Sequence, residues 1–290
     1  MRAIQTVGFI GLGVMGEPMC ANLRRKSGLT VLAHDMRNEP VQRLAEHGVQ
    51  GASLQEIARR ADVILLSLPD GKAVRAVIDG LTPHLSAGQV VVDMSTAPVA
   101  LAREIGAELA PQGVLFADAP VARTREAALR GDLSITVGAT DELFAHLTAL
   151  LGHMGSDVTH CGPVGTGQVV KILNNMLVFE NTCAVAEAIA LGRRNGVEAG
   201  KLLDAISKGS GDSFVLRNHG MKAMVPEAYP ERAFSTLYAM KDLSYALLMA
   251  DEAGLEVAGA RLAMKRFEES VAVGNAEKYH PAVRDVIDPK

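Results

Sequence analysis

The sequence predicts two domains: an α/β domain built on a parallel sheet and, after it, an all-α domain that begins with a long helix. Apolar stretches of strand length alternate with helical patterns over the first half of the chain. Several of these stretches, such as DVILLSL at 62–68, are almost continuously apolar, as strands covered on both faces are. Beyond Gly162-Pro163-Val164-Gly165, apolar residues recur only at helical spacing.

The elements of the first half are short, so the chain passes many times through the sheet. Apolar runs predict strands at 6–10, 30–35, 62–68, 89–94, 114–118, 133–137 and 158–160. The patterns between them predict helices at 17–26, 38–47, 53–60 (with Ser53 as its cap), 71–78, 100–109 and 141–151. The second half predicts helices at 168–194, 202–207, 237–252 and 257–273. We place the domains at 1–162 and 163–290.

Composition excludes several classes of function. The 290 residues are 48% hydrophobic and 21% charged, an ordinary globular balance. A net charge of −4 argues against a nucleic-acid partner, and no apolar run reaches membrane-spanning length. The cysteines Cys20, Cys161 and Cys183 lack metal-binding spacing, which favours buried thiols in a reducing compartment. We therefore expect a cytoplasmic protein.

A glycine pattern directly after the first strand indicates a dinucleotide site. The segment between this strand and the next helix reads Gly11-Leu12-Gly13-Val14-Met15-Gly16. Gly11 suits a tight turn, Gly13 lets the backbone approach a pyrophosphate, and Gly16 lets the helix pack close to the strand. The helix N-terminus then offers N–H groups to phosphates. We predict that residues 11–16 bind the cofactor.

The end of the second strand bears on which cofactor binds. Asp35 stands there, roughly 20 residues beyond the glycine pattern, where a carboxylate accepts hydrogen bonds from the adenosine ribose. A carboxylate also repels a 2′-phosphate, which favours NAD over NADP. Arg37 is able to pair with that phosphate instead, so NADP remains the alternative.

Two further loops follow buried strands, at the edge where α/β sheets bind ligands. Leu68 and Pro69 are predicted to line the cofactor, although a plain strand-to-helix turn fits them as well. Ser95 and Thr96 supply short hydroxyls near the reactive end of the cofactor. Thr96 also fits a helix cap, because Pro98 suits a first helical turn.

The loop after the fifth predicted strand carries Ala122, Arg123 and Thr124. An arginine holds a carboxylate or sulfonate through two parallel hydrogen bonds, so Arg123 is predicted to bind an anionic substrate. The alternative is a solvent-facing arginine at a basic helix start, because Arg125 and Arg130 are close in sequence.

The start of the long helix carries the polar groups that decide the mechanism. Lys171 and Asn175 are spaced i, i+4 and share one helix face, with Asn174 beside them. A lysine in an apolar cleft suits proton transfer, because desolvation lowers the pKa of an ammonium group. The alternative is a lysine that reaches out to water. Lys241, next to Asp242, fits either a cofactor contact or a solvated surface pair.

Six segments spread over nearly the whole chain form a more specific pattern than any single motif. They are GFIGLGVMG at 8–16, Asp35, LPD at 68–70, DMSTAP at 93–98, GPVGTGQVVKILNN at 162–175 and KDL at 241–243. In order and spacing they resemble the β-hydroxyacid dehydrogenase family. That family includes 3-hydroxyisobutyrate dehydrogenase, tartronate semialdehyde reductase and sulfolactaldehyde reductase.

The resemblance implies a Rossmann domain and a helical domain joined by the long helix. It implies Lys171 as the general acid and base of an oxidoreductase that uses no metal. It also implies the contacts of five other residues: Asn174 and Asn175 with the substrate, Ser95 and Thr96 near the nicotinamide, and Lys241 with the cofactor or substrate.

One loop departs from the family. Its usual sequence is Pro-Val-Ser-Gly-Gly, whereas this chain has Pro120-Val121-Ala122-Arg123-Thr124. The Arg-Thr pair resembles the loop of sulfolactaldehyde reductases. It implies a substrate whose anionic group is held by a guanidinium.

These observations predict reversible hydride transfer between NAD and a small anionic 3-hydroxy acid, 3-hydroxyisobutyrate-like or sulfolactaldehyde-like, which becomes its semialdehyde. Two other classes stay open: an imine reductase, which shares this scaffold but typically lacks the lysine, and a non-catalytic NAD-sensing module. Phe214, Leu237 and Met240 are candidates to set the pocket size. The long apolar helix predicts a homodimer or homotetramer.

Overall fold

The computed structural model describes residues 1, 3–231 and 233–289. The chain divides into two compact units, residues 1–171 and 172–290. This division falls within one continuous helix, Thr166–Arg194. The domain boundary near residue 163 stays a prediction.

The first unit alternates strands and helices as predicted. Its strands are β1 (Thr6–Ile10), β2 (Thr30–His34), β3 (Gln50–Gly51), β4 (Val63–Leu66), β5 (Val90–Asp93), β6 (Leu115–Asp118), β7 (Val121–Ala122), β8 (Leu133–Gly138) and β9 (Gly155–Gly162). Its helices are α1 (Gly16–Ser27), α2 (Asn38–Ala45), α3 (Leu54–Arg60), α4 (Gly71–Leu81), α5 (Val99–Leu109), α6 (Arg125–Arg130) and α7 (Asp141–Leu151), with 3₁₀ turns at Thr82–His84 and Ala110–Gln112. The predicted cap of α3 is confirmed: Ser53 and Glu56 form a capping box. The short β3, β7 and α6 were not predicted, because so few residues show no periodicity.

The strands form one sheet in the order β3-β2-β1-β4-β5-β6-β8-β7, with β9 paired to β8. Successive residues of β4 alternate between two cores: Val63 and Leu65 join one, and Ile64 and Leu66 join the other. The sheet is therefore covered on both faces, as the apolar strands predicted. The strands from β3 to β6 are parallel, so their carboxyl ends lie at one edge.

The parallel sheet that the sequence predicts also contains antiparallel pairing at its far side. Strand β8 pairs antiparallel with β6 and with β7. The segment between β7 and β8 holds only the six-residue helix α6, which is too short to carry the chain back across the sheet for a parallel return.

The second unit continues the long helix, α8 (Thr166–Arg194), and is helical as predicted. It contains α9 (Ala199–Ile206), α10 (Thr236–Glu252), α11 (Ala258–Ala272), α12 (Arg284–Ile287), a π-helix at Leu216–Met224 and a 3₁₀ turn at His280–Val283. The last two and α12 were not predicted. Extended pairing beyond α8 is limited, among the described residues, to the bridges Glu231–Lys278 and Ser235–Tyr279.

Helix α8 differs along its length. Val185 and Ile189 are buried in the core of the second unit, whereas Leu173 and Leu177 leave 40% and 55% of their surface exposed. In the part of the chain that the structure describes, none of the helices has both the length and the apolarity to cross a membrane.

Candidate functional site

The glycine pattern forms the turn between β1 and α1, and two of its glycines are required by close contacts. Gly11 has φ +94°, and a Cβ there would lie 2.2 Å from the Ser67 carbonyl oxygen. A Cβ on Gly16 would lie 2.0 Å from the Gly11 oxygen. A Cβ on Gly13, in contrast, would have no atom within 4 Å. The structure thus confirms the tight turn and the close helix packing, and it leaves open space beside Gly13.

Helix α1 begins without a side-chain cap, because the residue before it, Met15, makes no capping hydrogen bond. Together with the space at Gly13, this fits the pyrophosphate of a dinucleotide. The tip of the loop, at Val14, is exposed, whereas Leu12 is buried.

Asp35, just past β2, is tied to the glycine loop. Its carboxylate accepts hydrogen bonds from the backbone N–H of Leu12 at 2.7 Å and of Arg37 at 2.8 Å. The Arg37 guanidinium lies 3.3 Å from the same carboxylate. Burial raises the pKa of Asp35, but these N–H groups and Arg37 outweigh it, so its pKa falls below the usual value. Asp35 is ionised at neutral pH and stays beside the loop that it anchors.

The next loops along the carboxyl edge of the sheet are joined by hydrogen bonds. The N–H of Ser67, which follows β4, donates to the Ile10 carbonyl at 2.8 Å. The Ser95 hydroxyl, after β5, accepts from the N–H of Leu68 at 2.9 Å. The Ser95 N–H donates to the Asp93 carboxylate at 2.9 Å. The structure therefore gives the Ser95 hydroxyl a place in the scaffold of the edge, next to the loop that contains Pro69.

The start of α8 is bound to the same edge by two buried side chains that sequence reasoning did not single out. Asp118, the last residue of β6, accepts from the backbone N–H of Gly165 at 2.6 Å and of Gln168 at 2.7 Å. The side chain of Gln168 donates to the Ser95 carbonyl at 2.7 Å and accepts from the Ala97 N–H at 3.1 Å. Both Asp118 and Gln168 are 0% exposed. Lys171 lies three residues after Gln168 and is half-buried.

Asp118 is an unusual carboxyl group because it is fully enclosed. Burial raises its pKa to about 6, against the backbone N–H groups of Gly165, Gln168 and Gly167, which lower it. Its two oxygens each accept a backbone N–H, an arrangement that suits the ionised form.

The loop of Arg123 keeps a backbone conformation that suits the glycine of the family sequence. Arg123 has φ +85°, a left-handed conformation that favours glycine. Its guanidinium donates to the Asp132 carboxylate at 3.1 Å and to the Ser156 hydroxyl at 2.8 Å, and it also contacts the Asp157 carboxylate. Thr124 caps α6 through the N–H of Ala127. The predicted arginine is therefore held by two carboxylates in this structure, and its contact with substrate stays a prediction, as does that of the adjacent Ala122.

The second unit holds its own polar group around Asp242. The Asn175 amide donates to the Asp242 carboxylate at 2.6 Å, and the Lys241 ammonium lies 2.9 Å from the other oxygen. The same ammonium lies 4.1 Å above the Tyr238 ring. The Asn174 side-chain amide donates to the side-chain amide oxygen of Asn175 at 3.1 Å. Asp242 is 1% exposed, so the pair is not the solvated couple that the sequence left open.

Other predicted residues are placed as follows. Thr96 precedes α5 and makes no side-chain cap of it, since none is formed at that helix. In the second unit, Phe214 and Leu237 are exposed and Met240 is half-buried. The roles of Thr96 and Lys241 toward a cofactor, and of these three apolar residues in a pocket, stay predictions.

Comparison with known proteins covers both parts of the chain. Residues 6–162 match the family described as the NAD binding domain of 6-phosphogluconate dehydrogenase. Residues 165–287 match the family described as NAD-binding of NADP-dependent 3-hydroxyisobutyrate dehydrogenase.

Individual proteins are similar over nearly their full lengths. The chain is 34% identical to 2-(hydroxymethyl)glutarate dehydrogenase of Eubacterium barkeri, over 92% of this chain and 90% of that protein. It is 32% identical to NAD-dependent L-serine dehydrogenase of Pseudomonas aeruginosa, over 99% of each chain. The solved structure of Mycobacterium tuberculosis 3-hydroxyisobutyrate dehydrogenase with L-serine matches with a TM-score of 0.90 and 29% identity, covering 98% of this chain and 99% of that one.

Proposed function

The chain belongs to the β-hydroxyacid dehydrogenase family and is an NAD(P)-dependent oxidoreductase of CH–OH groups, and we propose that it interconverts a small anionic 3-hydroxy acid and its semialdehyde. The observation that carries the proposal is the start of α8. Asp118 and Gln168 fasten it to the carboxyl edge of the sheet, where the glycine loop also lies. We further propose that 1–162 binds the cofactor and that 163–290 contributes substrate binding and assembly.

The residues of the first unit fit a dinucleotide. The space beside Gly13 and the uncapped N-terminus of α1 suit the pyrophosphate. Residues 12, 14 and 15 supply the rest of that loop, and Leu68 and Pro69 line the next one. The ionised carboxylate of Asp35 suits the ribose hydroxyls and repels a 2′-phosphate, so we propose NAD as the preferred cofactor. Arg37 already pairs with Asp35, which weakens the case for NADP.

Lys171 is proposed as the proton-transfer group. The bound nicotinamide supplies the hydride chemistry, and the protein supplies position and proton control. During oxidation the Lys171 amine takes the hydroxyl proton of the substrate, and during reduction its ammonium returns a proton to the same oxygen. A positioned group of this kind contributes roughly 10²–10⁴-fold in rate. Asn175 and Asn174, on the next turn of the helix, are proposed to hold the substrate.

The anionic end of the substrate is proposed to lie at the loop of Ala122, Arg123 and Thr124. Binding through the guanidinium requires Arg123 to exchange Asp132 or Asp157 for the substrate anion. Such exposed ion pairs contribute about 0–1 kcal/mol, so the exchange costs little. We propose carboxylates and sulfonates of the 3-hydroxyisobutyrate and sulfolactaldehyde type as the substrate class.

The proposal is tested by reduction of NAD⁺ and of NADP⁺ with a panel of acids. The panel contains 3-hydroxyisobutyrate, L-serine, glycerate, 3-hydroxypropionate, 4-hydroxybutyrate and a sulfolactate-type diol, with a cyclic imine and NADPH or NADH to detect an imine reductase. We expect turnover of at least one acid, and a loss of at least about 100-fold in kcat for Lys171→Ala with the Kd for NADH retained. Lys201→Ala, which removes an exposed lysine of α9, is the matched control. Normal kcat in Lys171→Ala would exclude the proposed role, and tight NADH binding without any turnover would favour a sensor.

The exposed apolar side chains of α8 support self-association. Val170, Leu173 and Leu177 follow helical spacing and are all exposed in the single chain. We propose a homodimer or homotetramer that covers this face. Sedimentation equilibrium of the wild type and of Leu177→Gln tests it, and a wild type that stays monomeric at micromolar concentration would reject it.

A further inference from the structure

We propose that Asp118 and Gln168 are positioning residues for Lys171: together they fix the first turn of α8 on the sheet edge and thereby fix the height and rotation of the amine. This inference rests on the proposed role of Lys171. It assigns a function in catalysis to two buried side chains that need not contact substrate or cofactor themselves.

The Asp118 carboxylate fits closely against the start of α8. Its two oxygens accept the N–H groups of Gly165 and Gln168, which belong to the turn where α8 begins. Space for the carboxylate exists because two neighbours are glycines. A Cβ on Gly138 would lie 2.3 Å from one oxygen, and a Cβ on Gly167 would lie 2.8 Å from the other. The negative charge also lies at the positive end of the helix dipole, which favours this arrangement.

The Gln168 side chain reaches toward a different strand from the one that carries Asp118. Its amide bonds to the Ser95 carbonyl and the Ala97 N–H, so it joins α8 to the loop after β5. Asp118 joins the same turn to the end of β6. Two neighbouring strands thus hold the helix start from two directions, which restrains translation and rotation together.

Only a short stretch of helix separates these hydrogen bonds from the Lys171 amine. Lys171 follows Gln168 by three residues within one regular helix, so a displacement of the first turn is passed on to it with little loss. A misplacement of about 1 Å at a reacting group costs up to roughly 100-fold in rate. If these hydrogen bonds only stabilised the fold, their removal would not lower kcat in this way.

Asp118→Asn tests the proposal, because it keeps the volume and removes one acceptor and the charge. We expect kcat to fall at least about tenfold, with KM and the Kd for NADH within about threefold of the wild type. Asp62→Asn is the matched control. The Asp62 carboxylate also accepts two backbone N–H groups, from Gln5 and Thr6 at 2.9 Å each, but it does so at the amino end of the sheet. Its kcat should stay within about twofold.

The pH profile of kcat gives a readout that a purely structural role would not change. The wild type should lose activity as the pH falls through about 6, where Asp118 takes up a proton, and Asp118→Asn should lack this limb. The ionisable neighbours include the buried Asp93, which pairs in register with Asp118 across β5 and β6. They also include Cys161, whose pKa is raised by burial and by the charge of Asp118, and Arg103, whose side chain lies against Gly165. Cys161→Ser therefore serves as the control for the assignment of the limb.

Gln168→Met gives a second, uncharged test of the same idea, since it keeps the length and loses both bonds to the Ser95–Ala97 loop. It should show the same fall in kcat with NADH binding retained. Wild-type kcat in both variants, beside an inactive Lys171→Ala, would overturn the inference and leave the proposed function intact. Loss of folding or of NADH binding in both variants would also overturn it, because the residues would then serve folding. Activity in Lys171→Ala would instead reject the proposed function.

Discussion

Gly13 and Gly16 lie in the same loop, but replacement by alanine should affect a different property at each. It should lower the stability at Gly16 and the affinity for NADH at Gly13. In Gly16→Ala the new Cβ would lie 2.0 Å from the Gly11 oxygen, at least roughly 1 Å short of van der Waals contact. Gly11 has no room to move away, because its backbone is already packed against Ser67. It has φ +94°, and a Cβ built onto it would lie 2.2 Å from the Ser67 carbonyl oxygen. Helix α1 must shift instead, at a cost of about 1–3 kcal/mol or more in the free energy of unfolding.

Gly13→Ala meets no atom within 4 Å, so its free energy of unfolding should stay within about 1 kcal/mol of the wild type. The added methyl group occupies the space proposed for the pyrophosphate. We therefore expect the Kd for NADH to rise at least about tenfold, equal to about 1.4 kcal/mol of binding free energy.

Urea unfolding of the cofactor-free proteins and fluorescence titration with NADH measure the two effects separately. Gly13→Ala should fail in binding and not in stability, whereas Gly16→Ala should fail in stability first. Wild-type NADH affinity in a stable Gly13→Ala would show that the pyrophosphate does not lie at this glycine. An unchanged unfolding free energy in Gly16→Ala would refute the packing argument.

Two further predictions concern Asp118 and Arg123. Burial raises the pKa of Asp118 from 3.8 to about 6, so this group stabilises the folded state fully below pH 3.8, and that contribution is lost as the pH rises through 6. Relative to Asp118→Asn, the unfolding free energy of the wild type should fall by about 1–1.5 kcal/mol between pH 5 and pH 7.5 in urea titrations; a constant difference would contradict the raised pKa. The buried His219 and His280, whose pKa values burial lowers to about 4 and about 3, cancel in this comparison. Arg123→Gly should keep stability within about 1 kcal/mol, because glycine adopts φ +85° freely and only exposed ion pairs are lost. Its KM for the anionic acid should rise at least about tenfold while kcat changes less; an unchanged KM would assign anion binding to the backbone of the loop.

The local geometry of the proposed cofactor site was predictable from the sequence because its determinants are local. The turn at Gly11, the packing at Gly16 and the acid after β2 all lie within one strand–helix–strand unit, and each depends on the residue type at a single position. The same holds for most strands and helices of the first unit, whose apolar runs are long enough to show a period. Short elements such as α6, and the antiparallel return of β8, depend on pairing across the sheet and gave no such signal.

The fastening of α8 was not predictable for a different reason. The sequence presents Asp118 as the last residue of a strand and Gln168 as one polar residue in a glycine-rich helix start. Their importance comes from backbone N–H and carbonyl groups that every residue carries, here those of Gly165, Ser95 and Ala97. Arg123 shows the converse. Its residue type predicted an anionic ligand. In the structure, however, it contacts Asp132 and Asp157, which lie outside the loop on which the prediction was based.

A residue type thus indicates what chemistry a position supports, while the partners decide whether that chemistry is available. Lys171 illustrates both parts. Its identity indicates proton transfer, and its usefulness depends on how firmly the first turn of α8 is held. The hydrogen bonds that hold it run from side chains to backbone, so substitutions that preserve every predicted catalytic residue are still able to move the amine. Because the proposed amine must meet one oxygen of the substrate, we expect substitutions of Asp118 and Gln168 to lower kcat, although by less than the loss of the lysine itself.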